Sequence, residues 1–412
     1  MATPPQHLTM RPIADAELPA LTRLVEGVFL DDHHDDEAEI EAQIYEPERS
    51  LAVFDGDQPV ASAVAYSRNL TVPGGPLPAA CVSWVAVAPT HRRRGLLTRM
   101  MRHQLTELHD RSREAVAVLW ASESAIYGRF GYGPASQACR ITVSTRDARM
   151  LPQTGGAGRV RLLLPVDALP DLTAVYESVR PDRVGLLDRR GAWWQRRLFD
   201  PERWRDGASS LRVAVHEDAS GRPDAFALYN TKATWDAGPQ GEIGVRELLA
   251  ATPAGYAGLW RFLLQMDLVR TVRWDRAAAD EALPHLLGGT GAVQQSLSDA
   301  LWVRIVDVDR ALSARRYSTP TDLVLEISDD YCPWNSGRYR LAGDLQGADC
   351  TSTMDRADLS LPVAALGAAY LGGMSLSTLA AAGLVTERRP GALQAATAAF
   401  TGARAPYAPE VF

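Results

Sequence analysis

Val82-Ser83-Trp84-Val85-Ala86-Val87-Ala88-Pro89-Thr90-His91-Arg92-Arg93-Arg94-Gly95-Leu96-Leu97 is the stretch on which the reading of the fold turns. Cys81 to Val87 reads as a buried strand and Pro89-Thr90 as a turn. From Gly95 to Leu108 the apolar residues Leu96, Leu97, Met100, Met101, Leu105 and Leu108 recur at helical spacing. A strand that enters a helix through such a turn makes an anion site. Backbone N–H groups at the helix start point outward, the helix dipole adds positive potential, and Gly95 lets a pyrophosphate approach the backbone closely. Arg92, Arg93 and Arg94 add side-chain charge, and the strand residues Val85, Ala86 and Val87 offer main-chain bonds to an extended ligand arm. Taken alone, the same arginines also suit a solvated basic surface.

Outward from this junction the chain alternates strand and helix signals. Before it lie a helix at Leu18 to Leu30 and two strands, Leu51 to Asp55 and Val60 to Ser67, joined by Gly56-Asp57. After it come a strand at Ala115 to Trp120, a short helix at Ser124 to Phe130 and a strand at Cys139 to Ser144. This order predicts an α/β fold with a mixed sheet. Thr154-Gly-Gly-Ala-Gly158 has linker composition. A second block repeats the order more faintly. Its helix is expected near Leu169 to Val179, its strands at Leu211 to His216, Ala225 to Thr231 and Ile243 to Leu249, then a helix at Ala254 to Leu268 and a strand at Val272 to Trp274. A third block holds strands at Ala300 to Ile305, Leu323 to Ser328 and Gly337 to Leu341. Three domains are therefore expected, over residues 1–153, 159–295 and 296–412.

Composition narrows the class. The 412 residues are 46% hydrophobic and 23% charged, ordinary for a globular chain and unlike a disordered one. A net charge of −7 argues against nucleic acid and anionic membrane surfaces, and favours cationic small molecules. Cys81, Cys139, Cys332 and Cys350 are far apart without a CxxC pair, which fits a reducing cytoplasm and gives no metal site. The N-terminus, Met1 to His7, lacks the basic and apolar regions of a secretion signal. Leu359 to Thr386 is uncharged and long enough to span a bilayer, but Pro362, Gly372, Gly373 and Gly383 predict two short buried helices, the second capped by Ser375, so no span is expected.

Tyr127 sits in Ala121-Ser122-Glu123-Ser124-Ala125-Ile126-Tyr127-Gly128-Arg129-Phe130-Gly131-Tyr132. Transfer of an acyl group from a thioester to an amine needs a proton donor for the departing thiolate, and a tyrosine suits that role. It would equally suit an aromatic core position. Here the chain resembles the GNAT acetyltransferases, whose Arg/Gln-x-x-Gly-x-Gly/Ala signature is matched by Arg92-x-x-Gly95-x-Leu97, with Leu97 in place of the usual small residue. Together with Ser83-Trp84, Tyr127 to Pro134 and the C-terminal Phe412, the layout resembles the actinobacterial Eis (enhanced intracellular survival) family over essentially the whole chain. The resemblance implies tandem GNAT domains, of which the second has no acetyl-CoA site, followed by a sterol-carrier-like domain. It also implies acetyl-CoA as cofactor, a homohexamer, and acetylation of aminoglycosides or similar polycationic amines, an antibiotic-resistance activity. Protein lysines, polyamines, or a lipid-carrier role are the alternatives.

In that family the terminal carboxylate enters the active site as base, which would make Phe412 catalytic. A free α-carboxylate, with an ordinary pKa of roughly 3.3 to 3.7, is too weak to deprotonate an exposed ammonium unless burial or a water intervenes. A C-terminal Phe would otherwise simply pack its ring. Glu410 would hold a cationic substrate, although relatives carry an acid directly before the terminal Phe where this chain has Val411. Glu26, Ser83 and Trp84 are further pocket candidates by the same resemblance. Asp31-Asp32-His33-His34-Asp35-Asp36-Glu37 would either gather cations or form a solvated loop. Arg189 to Phe199 mixes arginines with tryptophans, but Asp188 and Asp200 flank it and a helix packed between domains explains it. The second-block junction, Ala251-Thr-Pro-Ala-Gly255, has no basic residue, so acetyl-CoA is not expected there.

Overall fold

The computed structural model describes residues 8–152 and 158–412, whose strands form three sheets. Met1 to His7 and the linker-like residues from Thr154 to Ala157 lie outside them. The first half supplies seven strands: Leu8–Pro12 (β1), Ser50–Asp55 (β2), Gln58–Val72 (β3), Gly75–Val87 (β4), Val116–Trp120 (β5), Tyr132–Pro134 (β6) and Gln137–Ser144 (β7). The second half repeats them as Arg159–Leu163 (β8), Arg212–Glu217 (β9), Pro223–Lys232 (β10), Gly241–Ala250 (β11), Val269–Ala278 (β12), Val293–Asp299 (β13) and Leu301–Ile305 (β14).

The sheets do not follow the chain. The first runs β1-β2-β3-β4-β5-β14-β6 and the second β13-β7-β12-β11-β10-β9-β8. Each half thus gives its seventh strand to the other's sheet, between the fifth and sixth strands there. β14 pairs Leu301–Ile305 against Trp120–Val116 on one edge and Tyr132–Pro134 on the other. Its five residues are all buried, as a strand covered on both faces requires. The contiguous division expected from sequence therefore needs correction at two places. Gln137–Ser144 completes the second sheet, and Leu301–Ile305 the first rather than the third unit.

Helix α1 (Leu18–Val28) and helix α2 (Asp35–Ile44) cover one end of the first sheet, and α3 (Leu96–Arg111) one face. Leu96, Met100, Met101 and Leu105 pack there on Val53, Ala63 and Leu119, as the helical spacing predicts. α2 was not legible, because its first turn is Asp35-Asp36-Glu37 within the acidic run. Those acids sit where a helix N-terminus favours negative charge. The opposite face packs against the third unit, a five-stranded sheet with helices Val363–Ala369, Leu376–Ala381 and Ala392–Phe400. The uncharged run from Leu359 is therefore a strand followed by two short helices parted at Gly372-Gly373. Ser375 occupies the N-cap position without bonding through its side chain. Among the described residues no helix is long and apolar enough to cross a membrane.

The third unit docks through glycine. A Cβ on Gly133 of β6 would lie 1.9 Å from the Ala364 carbonyl oxygen, and one on Gly367 would lie 2.4 Å from that of Val303 in β14. The helix Val363–Ala369 thus rests directly on backbone, and rigid backbone cannot yield as a side chain would. Gly133→Val is expected to lower the unfolding free energy by about 3 kcal/mol, the upper range for overpacking, measured by urea denaturation.

Candidate active site

Parallel pairing of β4 with β5 stops at Cys81 and Val118, although β4 continues to Val87 and β5 to Trp120. The strands part there. On its other side β4 carries a bulge, since Ser62 faces Ala86 and Val64 faces Ser83, leaving one extra residue in β4. Trp84 takes the left-handed conformation at φ 50°, unfavourable for a side chain this large. Its carbonyl accepts from the Ser62 hydroxyl at 2.5 Å, and its ring stacks on Tyr45 at 6.5 Å. The backbone of Val85, Ala86 and Val87 therefore lies along an edge that β5 does not cover. Strand and opening lead to Arg92, Arg93 and Arg94, all exposed, and to Gly95 at φ 75°, whose missing Cβ faces open space. Leu96 begins α3 and is buried in its core, whereas Leu97 is half-buried. This is the arrangement that an extended arm ending in a pyrophosphate needs.

Tyr127 ends a one-turn helix, Ser124–Tyr127, beyond the parted end of β5. Asp299 positions that turn, accepting from the Ser124 hydroxyl and from the Trp302 indole, both at 2.8 Å. Asp299, at the end of β13, thus ties the tyrosine's helix to Trp302 of the exchanged strand. Tyr127 meets Tyr132 edge-on at 5.9 Å, and burial, with Glu123 nearby, pushes its hydroxyl up to about 12.

The C-terminal tail completes the site. The Ala405 N–H donates to Asp280 at 3.0 Å and the Tyr407 N–H to the Val184 carbonyl at 2.8 Å. Arg196 donates to the Val411 carbonyl at 2.9 Å, and the Ser83 hydroxyl donates to the terminal Phe412 oxygen at 2.7 Å. The Phe412 ring is buried in the core between the first sheet and the third unit. The structure therefore brings Ser83 and Phe412 into contact at the bulge of β4, across 329 residues of chain.

This geometry agrees with the comparisons. GNAT acetyltransferase domain models match residues 9–135 and 185–305, and a sterol carrier protein domain model matches 308–409. N-acetyltransferase Eis of Mycobacterium tuberculosis is 36% identical over 357 residues, 84% of each chain. The chain belongs to the Eis family of N-acetyltransferases. An uncharacterized N-acetyltransferase of Streptomyces avermitilis is 45% identical over 92% of each chain. The crystal structure of Eis1 from Mycobacterium abscessus superimposes with a TM-score of 0.85 at 32% identity, covering 98% of this chain and 100% of that one. Tandem GNAT domains with mixed sheets, followed by a sterol-carrier-like domain, are thus the architecture of this acyltransferase.

The second GNAT domain differs at its own junction. Thr252 caps helix α4 (Pro253–Leu264) by accepting from the Gly255 N–H at 3.0 Å, while its hydroxyl donates to Asp224 at 2.5 Å. A Cβ on Gly255 would lie 2.9 Å from an Asp224 oxygen. The helix start is capped internally and faces a carboxylate, which repels phosphate.

Two expected substrate contacts are engaged elsewhere. Glu26 is bonded to His33 at 2.8 Å. Glu410 is buried, with one oxygen 2.8 Å from Arg68 and the other 2.5 Å from Arg189, so its carboxylate anchors the tail. No sequence signal marks these partners, which lie 342 and 221 residues away. In the acidic run, Asp36 and Glu37 pair with Arg203. Among the described residues no group of side chains could hold a metal.

Burial alone would raise the Glu410 pKa, but Arg68 and Arg189 override it and hold the carboxyl at about 2 against an ordinary 4.5. A depressed carboxyl stabilises the fold above pH 4.5 and loses that contribution as pH falls towards 2. The difference amounts to about 3 kcal/mol. Unfolding measured by denaturant between pH 7 and 3 is expected to show this acid loss in the native chain. In Glu410→Gln the stability is expected to be lower at neutral pH and to fall less on acidification.

Proposed function

We propose that the first GNAT domain catalyses acetyl-CoA-dependent N-acetylation of a small amine, with Tyr127 as proton donor and the Phe412 carboxylate as the group that receives the amine. The observation that supports this most is the Ser83–Phe412 bond, which holds a carboxylate where β4 parts from β5. Acetyl-CoA supplies the acetyl group as a thioester. Val85, Ala86 and Val87 would bond its arm by main chain, and Gly95, Leu96 and Leu97, at the helix start, would hold the pyrophosphate with Arg92, Arg93 and Arg94.

Chemically, the Phe412 carboxylate attracts the acceptor's ammonium and accepts a proton from it, directly or through water. The neutral nitrogen then forms the new C–N bond while the C–S bond breaks. Tyr127 donates its proton as charge develops on sulfur, and the surplus proton on nitrogen leaves through the same carboxylate and water, restoring the tyrosine. With its pKa raised to about 12, Tyr127 keeps its proton at neutral pH and acts as a donor throughout the physiological range. Trp84 and Ser83 fix the acceptor side of the bulge.

The family resemblance puts aminoglycosides first in any acceptor panel, with polyamines and lysine peptides beside them. Thiol release from acetyl-CoA with kanamycin or benzylamine tests the reading. Tyr127→Phe is expected to lower kcat by about 100-fold or more, the ordinary contribution of a positioned acid. Removal of Phe412 alone is expected to abolish turnover with the circular dichroism spectrum unchanged. Equal turnover in both variants would refute these roles.

A further inference from the structure

Beside the tail lies a pocket of about 270 Å³ lined by Arg196, Arg197, Arg246 and Arg276, with Trp193, Trp204 and Val411. It arises where the second sheet repeats the parting of the first. The parallel pairing of β11 with β12 ends at Val245 and Trp274, so Arg246 and Arg276 follow just where the strands separate. Helix α5 (Ala192–Leu198) brings Trp193, Arg196 and Arg197 across from the other side.

The four guanidiniums exceed the carboxylates that serve them. Arg196 pairs with Glu41 at 2.6 Å, Arg197 with Glu247 at 2.7 Å and Arg246 with Asp200 at 2.6 Å. Glu247 also serves Arg189 and Asp200 also serves Arg205, both outside the pocket. Arg276 makes no hydrogen bond or ion pair among the described residues, and its neighbour Asp275 is held by Arg140 and Arg273. Of the carboxylates, Glu410 alone lines the pocket, and both its oxygens are taken. Burial, and after it the charge of Arg197, pull the Arg246 pKa down, with Asp200 opposing. The pocket's volume, just below the usual range of about 300–1,000 Å³ for ligand pockets, accommodates a single ring.

We infer that this pocket binds a carboxylate of the acceptor, so that the substrate is a compact zwitterionic amine with a planar body, its ammonium end at Phe412 and its anionic end at Arg246 and Arg276. The inference rests on the transferase reading above and names its substrate class. Trp193 and Trp204 would hold the planar body between the two charged ends, and guanidiniums bind carboxylates in a fixed fork.

Three acceptors that differ only in the para substituent test it: para-(aminomethyl)benzoate, benzylamine and para-(aminomethyl)benzylamine, each assayed by thiol release from acetyl-CoA with kanamycin alongside. The acid is expected to exceed benzylamine about tenfold in kcat/KM, the factor one charge-assisted contact provides, and the dication to fall below both. Arg276→Gln is expected to bring the acid-to-benzylamine ratio close to one. Arg276→Glu is expected to reverse the order in favour of the dication, a gain that misfolding cannot produce. Turnover of benzylamine, the dication or kanamycin at or above that of the acid, or a ratio unmoved by both substitutions, would overturn the subsite while leaving the transferase. No thiol release with any of the four acceptors would remove the transferase reading and the inference with it.

Discussion

A single buried carboxylate, Glu410, sets the geometry of the site. It lies between Arg68 on β3 and Arg189 in the second domain, and Arg189 in turn pairs with Glu247 on β11 at 3.0 Å. Arg68 also bonds Asp188 at 3.2 Å. Burying such charges is costly, and the cost is offset only when every partner is present, so the network acts as a unit that joins two domains and the tail. Two residues beyond Glu410 the chain ends at the Ser83 hydroxyl. The position of Phe412 therefore follows from ion pairs two residues upstream.

The strand exchange has the same consequence at a larger scale. Because β14 lies inside the first sheet and β7 inside the second, neither domain has a complete sheet on its own. Asp299, at the end of β13, holds the Tyr127 helix, and Arg304 of β14 forms a fully buried pair with Asp329 of the third unit at 2.6 Å. The catalytic domain thus depends on residues about 170 positions downstream of its own motif. A rigid joint of this kind keeps Tyr127, Ser83 and Phe412, drawn from distant parts of the chain, in one fixed relation.

What the sequence revealed follows from this distinction between local and distant causes. The strand to Val87, the turn and α3 were legible because apolar periodicity and glycine act over a few residues. The Arg-rich turn was legible for the same reason, and Tyr127 because a family pattern surrounds it. The exchange of β7 and β14 was not, since a fully buried strand reads alike in either sheet. The anchoring of Glu410 was not legible either, because its acidity is visible locally while Arg68 and Arg189 are not. α2 was hidden by its acids, which look like a solvated loop until the helix dipole and Arg203 are in view.

The two GNAT domains also show how one geometry is put to different uses. In both, parallel strands part beyond their third or fifth paired residue and open a wedge. In the first domain the wedge leads to an open glycine and three arginines. In the second, Thr252 and Asp224 close the corresponding helix start, and the wedge is lined by Arg246, Arg276 and the incoming tail. Charged residues there serve two ends, since Glu247 pairs with Arg189, which in turn holds Glu410, while Arg246 and Arg276 face the space beside Val411. The second domain is thereby the one that holds the C-terminal residues through Arg189 and Arg196 and lines the space beside Val411.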